Sequence, residues 1–271
     1  MPSFFYDLST PALSKVIDDN LIAKSLSFAR LLGGEVNEGN PYWFVTGAAM
    51  PDNNGIVRAD FDPGAVNERI QEALAPFQSR SLPVTWWVGP TSAPSNLGRF
   101  LQPAGFSHNR DMIGMAMDLA ALRERELPMP GLTFERVAHK EALLEWYGII
   151  LRCFPSSYSQ VYINALAQAS FRPDAEWRHY IGRVDGRAAA VSSVLVGAGV
   201  AGLYNLGTHP DLRGQGLGAW ITARSFLVTA QEGFRVGTLQ TTYPNALRMY
   251  HRMGFEVYCK IGIYNYLRRG C

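Results

Sequence analysis

Within the 271 residues of the chain, the stretch best equipped for chemistry is Asn205–Gly218, NLGTHPDLRGQGLG. Arg213, Gly214, Gln215, Gly216, Leu217 and Gly218 set three glycines at alternate positions beside one cation. Residues without a Cβ let the backbone approach an anion closely. Unpaired N–H groups at a helix N-terminus point at that anion, and the helix dipole favours its negative charge. Arg213 adds a fixed positive charge at the rim. The flanking pattern suits this use. The apolar run Val200–Thr208 reads as a buried strand, and His209-Pro210-Asp211-Leu212 is a polar turn. After the glycines, Leu217, Ile221, Ala223 and Leu227 recur at helical spacing.

Strand, glycine turn and helix start admit several readings. A nucleoside-triphosphate loop, GxxxxGK[ST], is excluded because the segment has no Gly-Lys pair. Gly214–Ala219 fits the dinucleotide fingerprint GxGxxG/A. That motif, however, starts at the strand end and wants an acidic residue about 20 positions further on. Here a polar turn intervenes, and Phe234–Tyr243 holds no Asp or Glu. A third pattern, [QR]-x-x-G-x-[GA], runs from Arg213 to Gly218. The bland alternative is a glycine-rich helix start with no ligand.

A second informative stretch is Asn245–Phe255, NALRMYHRMGF. Gly254 has the place of a glycine just past a helix end, and Phe255 that of the apolar residue packing back after it. Tyr250 lies one turn earlier. By itself it reads as a core tyrosine.

Together the two stretches resemble the two ends of the cofactor site of the GCN5-related N-acetyltransferases (GNAT), which bind acetyl-CoA. The resemblance covers residues 132–267 and reaches the first half only as a degenerate copy. Tandem arrangements with one functional half occur in this superfamily, mycothiol synthases among them. The resemblance implies that Leu206, Gly207 and Thr208 offer backbone groups to the pantetheine arm and polarise the thioester carbonyl. It implies that Arg213, Gly214, Gln215, Gly216, Leu217 and Gly218 wrap the pyrophosphate. Tyr250 would sit near the CoA sulfur as general acid, since a phenol of pKa ~10 can protonate a departing thiolate. Many members place an Asn seven residues before this tyrosine. Here that position is Tyr243, and Asn245 either contacts the cofactor or starts the helix. Some members carry a glutamate base on the preceding strand, where this chain offers Thr238 and Gln240. His209 lies at the right strand end but reads first as a solvated turn residue.

The elements that must position these residues follow from hydrophobic spacing. Helices are expected over Pro11–Leu32, Ala65–Phe77, Ser95–Ala104, Lys140–Cys153, Tyr158–Ala169, the segment from the glycine loop to Gln231, and Asn245–Met253. Strands are expected over Tyr42–Ala48, Ile56–Phe61, Pro83–Val88, Asp111–Leu119, Leu132–Val137, Trp177–Val184, Val236–Thr241 and Glu256–Leu267. Ala188–Gly207 is uncharged and long enough to span a bilayer. Gly197-Ala198-Gly199 splits it into two valine-rich runs, which suits a hairpin of buried strands. Leu119–Gly131, charged and then proline-rich, reads as a linker.

Setting Gly105-Phe106 over Gly254-Phe255 brings Asn96 onto Asn245, Arg99 onto Arg248 and Leu101 onto Tyr250. The glycine loop then falls on Gly64–Arg69, GAVNER, which lacks G-x-G. The expected architecture is therefore α+β: two tandem GNAT-like domains, each a mostly antiparallel central sheet flanked by helices. A degenerate domain without cofactor loop covers 1–126, and an acetyltransferase domain covers 132–271.

Composition bounds the function. A net charge of +2, carried mostly by scattered arginines, gives no electrostatic case for nucleic acid or a membrane surface. Cys153, Cys259 and Cys271 lack metal-ligand spacing, and a cytoplasmic, reducing location is expected. The leading expectation is an acetyl-CoA-dependent N-acetyltransferase acting on a small-molecule or exposed amine by direct attack in a ternary complex. The alternatives are a non-catalytic acyl-CoA-binding module and a dinucleotide-binding enzyme. Tyr158, Tyr162, Trp177, Arg152, Arg172 and Glu176 are the candidates for the acceptor pocket.

Overall fold

The computed structural model describes residues 4–124, 126, 129–154, 164–167, 170–172 and 174–267. In chain order the elements are α1 (Thr10–Leu31), β1 (Glu35–Glu38), β2 (Tyr42–Val45), β3 (Asn54–Val57), α2 (Val66–Gln78), β4 (Val84–Val88), α3 (Gly98–Leu101) and β5 (Ser107–Asp118). There follow β6 (Leu132–Arg136), α4 (Lys140–Cys153), β7 (Trp177–Val184), β8 (Arg187–Gly197), β9 (Val200–Thr208), α5 (Leu217–Gln231), β10 (Val236–Thr241), α6 (Pro244–Met253) and β11 (Glu256–Tyr266). The fold is α+β and its strand pairing is mostly antiparallel. The helix expected over Tyr158–Ala169 lies largely outside the described residues, with 164–167 helical.

Contacts divide the chain into two compact units that are not its sequential halves. One, the loop-bearing unit, comprises Met1–Leu8, Met115–Leu239 and Tyr243–Glu256. The other, the N-terminal unit, comprises Ser9–Gly114, Gln240–Thr242 and Val257–Cys271. The contact division thus departs from the expected one at 126/132 in Met1–Leu8, in residues 115–126, in Gln240–Thr242 and in the last strand. β11 pairs antiparallel with β4 from Gly262↔Val88 to Tyr266↔Val84, so it completes the N-terminal unit's sheet. The apolar pattern of a strand shows that it must pair, without naming its neighbour.

In the loop-bearing unit the strand order is β10-β9-β8-β7-β6. The uncharged stretch is the hairpin β8–β9, turned by Ala198 (φ +55°) and Gly199 (φ +77°). Asp185 and Gly186, also at positive φ, turn β7 into β8. Such turns match the right-handed twist of the strands they join. β9 then crosses over through α5 to the parallel strand β10. Leu217, Trp220 and Ile221 on the inner face of α5 bury against Leu132, Ala189 and Ala190. The hydroxyls that α5 also buries are satisfied locally: Thr222, Ser225 and Thr229 donate to carbonyls one turn back, at 2.8 to 2.9 Å. Leu227, expected on the core face, is only half-buried.

The N-terminal unit's sheet runs β1-β2-β3-β4-β11-β5. It repeats the crossover, with β3, α2 and the parallel strand β4. Its core gathers Ile70, Leu74 and Phe77 of α2 with Val84, Trp86, Leu101 and Phe106. Strand β1, EVNE, carries one apolar residue and three exposed ones, so no hydrophobic pattern announces it. Its pairing with β2 alone defines it.

Candidate active site

β9 is the element that shapes the site. It pairs with β10 only over Ala201–Leu203, opposite Gly237–Leu239. On its other edge the register with β8 slips: Ser193 pairs with Tyr204 but Val191 pairs with Gly207. Asn205 and Leu206 together therefore face Ser192, which is a β-bulge, and Asn205 adopts φ +51°. Past the bulge, Leu206, Gly207 and Thr208 line a cavity of about 410 Å³. Its other walls are Cys153 and Phe154 at the end of α4, Arg213 and Gly218 on the loop, and Tyr243, Asn245, Ala246 and Met249 at the start of α6.

The loop has the geometry its glycines suggest. Gly214 and Gly216 stand at φ +79° and +85°, where L side chains are strained, and Gly216 caps α5. No side chain caps that helix, and its ladder starts with Trp220 N–H donating to Gly216 O at 3.0 Å. The first-turn amides thus have no intrahelical partner. A Cβ built on Gly218 would lie 3.6 Å from both Met249 Sδ and Thr208 Oγ1. The helix start is therefore flanked by the β9 end on one side and by α6 on the other.

Arg213 folds back on the strand end. Its Nε donates to Thr208 O at 3.3 Å, and its Nη2 reaches Cys153 Sγ at 3.7 Å. The Cys153 thiol donates to the same carbonyl at 3.3 Å. Gly207 makes room for that thiol, since a Cβ there would stand 3.1 Å from Cys153 Sγ.

The structure therefore brings together Leu206, Gly207, Thr208, Arg213, Gly218 and Asn245 in one cavity lining. Gly214, Gln215 and Gly216 form the adjoining turn, and the Leu217 side chain is committed to the core. Asn245 does not cap its helix; α6 begins at Pro244, and Asn245 Oδ1 accepts from Arg248. Tyr250 is buried. It is 5% exposed, its ring lies 5.9 Å from that of Phe255, and it is not part of the cavity lining. Burial raises its phenol above the usual tyrosine range, so the group holds its proton at neutral pH.

The sequence reading missed Cys153, Phe154, Ala246 and Met249. Met249 had a signal, since it sits one turn after Asn245 on the same helix face. Cys153 and Phe154 had none, because only the packing of α4 brings them to β9.

The other candidates scatter. His209 accepts from Asp211 N–H at 3.4 Å and lines a separate cavity with Asp185 and Arg187. Trp177 is buried against His179 and Tyr204. Arg172 pairs with Asp174 at 2.7 Å, while Arg152 and Glu176 are exposed. Thr238 is fully buried and Gln240 bonds the Ile17 carbonyl at 3.5 Å. Tyr158 and Tyr162 lie outside the described residues. Among the described residues, no cluster of His, Cys, Asp and Glu could hold a metal, and no helix is long and apolar enough to cross a membrane.

Residues 175–257, which contain β9, the glycine loop and α6, match the model of the acetyltransferase (GNAT) domain family. No curated protein matches the chain in sequence. Solved structures match nearly its whole length. A GCN5-related N-acetyltransferase from Kribbella flavida is 20% identical, with a TM-score of 0.72, over 93% of this chain and 96% of that one. A GCN5-related N-acetyltransferase from Sphaerobacter thermophilus is 18% identical, with a TM-score of 0.62, over 94% and 91%. A tandem GNAT protein from the clavulanic acid biosynthesis pathway is 14% identical, with a TM-score of 0.59, over 86% and 78%. At these identities the likeness establishes a shared fold.

Proposed function

We propose that the chain is an acetyl-CoA-dependent N-acetyltransferase, in which the loop-bearing unit does the chemistry and the N-terminal unit is a degenerate GNAT-like copy. The carrying observation is the cavity at the end of β9, walled by Leu206, Gly207, Thr208, Arg213, Gly218 and Asn245 beside an uncapped helix start. Unbranched backbone at Gly214, Gly216 and Gly218 suits a diphosphate, and the open cavity suits a pantetheine arm.

Acetyl-CoA supplies an activated acetyl thioester. In the reaction a C–N bond forms, the C–S bond breaks, the nitrogen loses a proton and the sulfur gains one. The first-turn amides of α5 hold the diphosphate, and the backbone of Leu206–Thr208 orients the arm and polarises the carbonyl. Tyr250 donates the proton to sulfur. Among the described residues the cavity wall holds no carboxylate or imidazole, so another base or a relaying water takes the proton from nitrogen. Much of the rate comes from holding two substrates in one cleft.

One observation favours a second reading, an acyl-CoA-binding module without catalysis: Tyr250 is buried and is not among the residues that line the cavity. Titration calorimetry with acetyl-CoA, alongside CoA-thiol release across an amine panel, separates the two. The enzyme binds acetyl-CoA once per chain and releases thiol with at least one amine. Binding without release by any amine leaves the module. Failure to bind acetyl-CoA with binding of NAD removes both in favour of a dinucleotide site, and a stoichiometry of two overturns the degenerate copy.

A further inference from the structure

The bulge in β9 is held from behind by buried polar groups. Asn205 sits in the left-handed region, which asparagine tolerates better than other non-glycine residues. Its Nδ2 donates to Ser193 Oγ at 3.2 Å. Ser193 Oγ lies 2.7 Å from Nδ1 of His179, its direct cross-strand partner on β7. Nε2 of His179 lies 3.1 Å from Ser170 Oγ. With Asn205 donating to Ser193, that hydroxyl's own hydrogen is available to Nδ1. When Ser193 gives that hydrogen to Nδ1, the neutral imidazole carries its proton on Nε2 and donates to Ser170; in the other tautomer both bonds reverse.

The surroundings fix this arrangement. His179 has 0% exposure, with its ring 4.7 Å from Trp146 and stacked on Trp177 at 6.0 Å. Trp146 Nε1 donates at 3.1 Å to the carbonyl of Ser192, the residue that faces the bulge. Burial depresses the imidazole to about 3, so it stays neutral near physiological pH. A fully buried histidine between two tryptophans is a costly filling where an apolar side chain would serve. Strained backbone persists where its surroundings over-determine it, and such strain clusters at ligand sites. The strain at Asn205 stands directly before Leu206 and Gly207, which line the cavity.

We infer that Ser170, His179, Ser193 and Asn205 form a buried positioning chain that fixes the β9 bulge and aims the Leu206–Gly207 backbone into the acyl-transfer cavity. The inference rests on the proposed function for the identity of the ligand and adds residues that touch neither substrate. Asn205→Gly is the informative variant, because glycine adopts the left-handed conformation readily and lacks the side-chain amide. Ser193→Ala breaks the next link, and Ser193→Thr keeps its hydroxyl.

Three quantities are measured on the full chain: the thermal midpoint, amide hydrogen exchange at Leu206–Thr208 without ligand, and kcat and KM for acetyl-CoA. In Asn205→Gly and Ser193→Ala, exchange at Leu206 and Gly207 rises about tenfold or more while the rest of β7–β9 keeps its protection. kcat falls up to about 100-fold, because the carbonyl contact is misplaced, with KM for acetyl-CoA within about twofold. Ser193→Thr restores both. Asn205→Gly with parental exchange and parental kcat overturns the positioning chain. A fall in kcat matched by a general loss of protection overturns it too, as a stability effect only. If the parent neither binds nor turns over acetyl-CoA, the function is wrong while exchange still decides the chain. Local acceleration at Leu206–Gly207 then upholds its hold on the bulge, and parental exchange refutes it.

Discussion

The ends of α3 and α6 are built alike and equipped differently. Gly254 follows α6 directly at φ +99°, and Gly105, at φ +97°, comes after the turn residues 102–104 that continue α3. Gly105 N–H donates to Gln102 O at 3.0 Å, and Gly254 N–H donates to His251 O at 3.0 Å. The next residues match as well: Phe106 N–H donates to Leu101 O at 3.1 Å, and Phe255 N–H donates to Tyr250 O at 3.0 Å. Both phenylalanines are buried. This is the glycine C-cap in which orphan carbonyls are satisfied and an apolar residue closes the end. Each is preceded by a parallel pair joined through a helix, β3-α2-β4 in one unit and β9-α5-β10 in the other. The two ends differ in a side chain, and the two crossover helices in how they start. Leu101 stands where the other end has Tyr250. α2 starts at Ala65 with right-handed backbone, where α5 starts at a left-handed glycine. The backbone hydrogen bonds that the two ends share use none of the side chains in which they differ.

The largest effect expected to sharpen this contrast is at the paired positions Tyr250 and Leu101. Tyr250→Phe keeps the ring against Phe255 and removes the proton donor. Turnover falls about 100- to 10,000-fold, while calorimetric affinity for acetyl-CoA stays near parental. Leu101→Ala acts on stability instead, costing about 2–5 kcal/mol in urea unfolding. Parental turnover by Tyr250→Phe would make both positions mere core.

Acid should separate the units next. His179 binds its proton at about 3 in the folded chain, against 6.5 for an unperturbed imidazole. The unfolded state therefore takes up the proton first. Stability from the neutral ring is complete above pH 6.5 and is lost as pH falls from 6.5 toward about 3. The slope is about 1.4 kcal/mol per pH unit. The N-terminal unit's His108 is exposed. Denaturant midpoints across that window should flatten in His179→Phe, and an unchanged slope would place the acid sensitivity elsewhere.

The smallest effect concerns the loop that the N-terminal unit lacks. Gly218→Ala has room for its methyl, at 3.6 Å from Met249 Sδ and Thr208 Oγ1. It should leave the thermal midpoint equal or higher, since alanine favours helix over glycine by about 1 kcal/mol. Acetyl-CoA affinity should fall about tenfold, equivalent to ~1.4 kcal/mol. Gly216 makes a poorer probe, because any side chain at φ +85° strains the backbone whether or not a ligand binds. Undiminished affinity in Gly218→Ala reduces the loop to a plain helix start.

Local regularities were legible in the sequence because they are periodic. Lys140–Cys153, Trp177–Val184 and Val236–Thr241 have the bounds their apolar spacing gives, and the hairpins turn where Asp185-Gly186 and Ala198-Gly199 allow positive φ. The strand–loop–helix around Arg213–Gly218 was legible because glycines at fixed offsets have few other uses. Tertiary structure decided the rest. Strand β11 reads the same whether it pairs within its own half or with β4, since hydropathy carries no address for the partner edge. The bulge at Asn205 exists only relative to the register of β8. Tyr250 was identified by its distance along the chain from Gly254, but whether its phenol faces a cavity or a core depends on Phe255 and its neighbours. The sequence determined which groups could do chemistry, through residue type and spacing. Packing alone decided which of them share a cavity, because that depends on contacts between segments far apart in the chain.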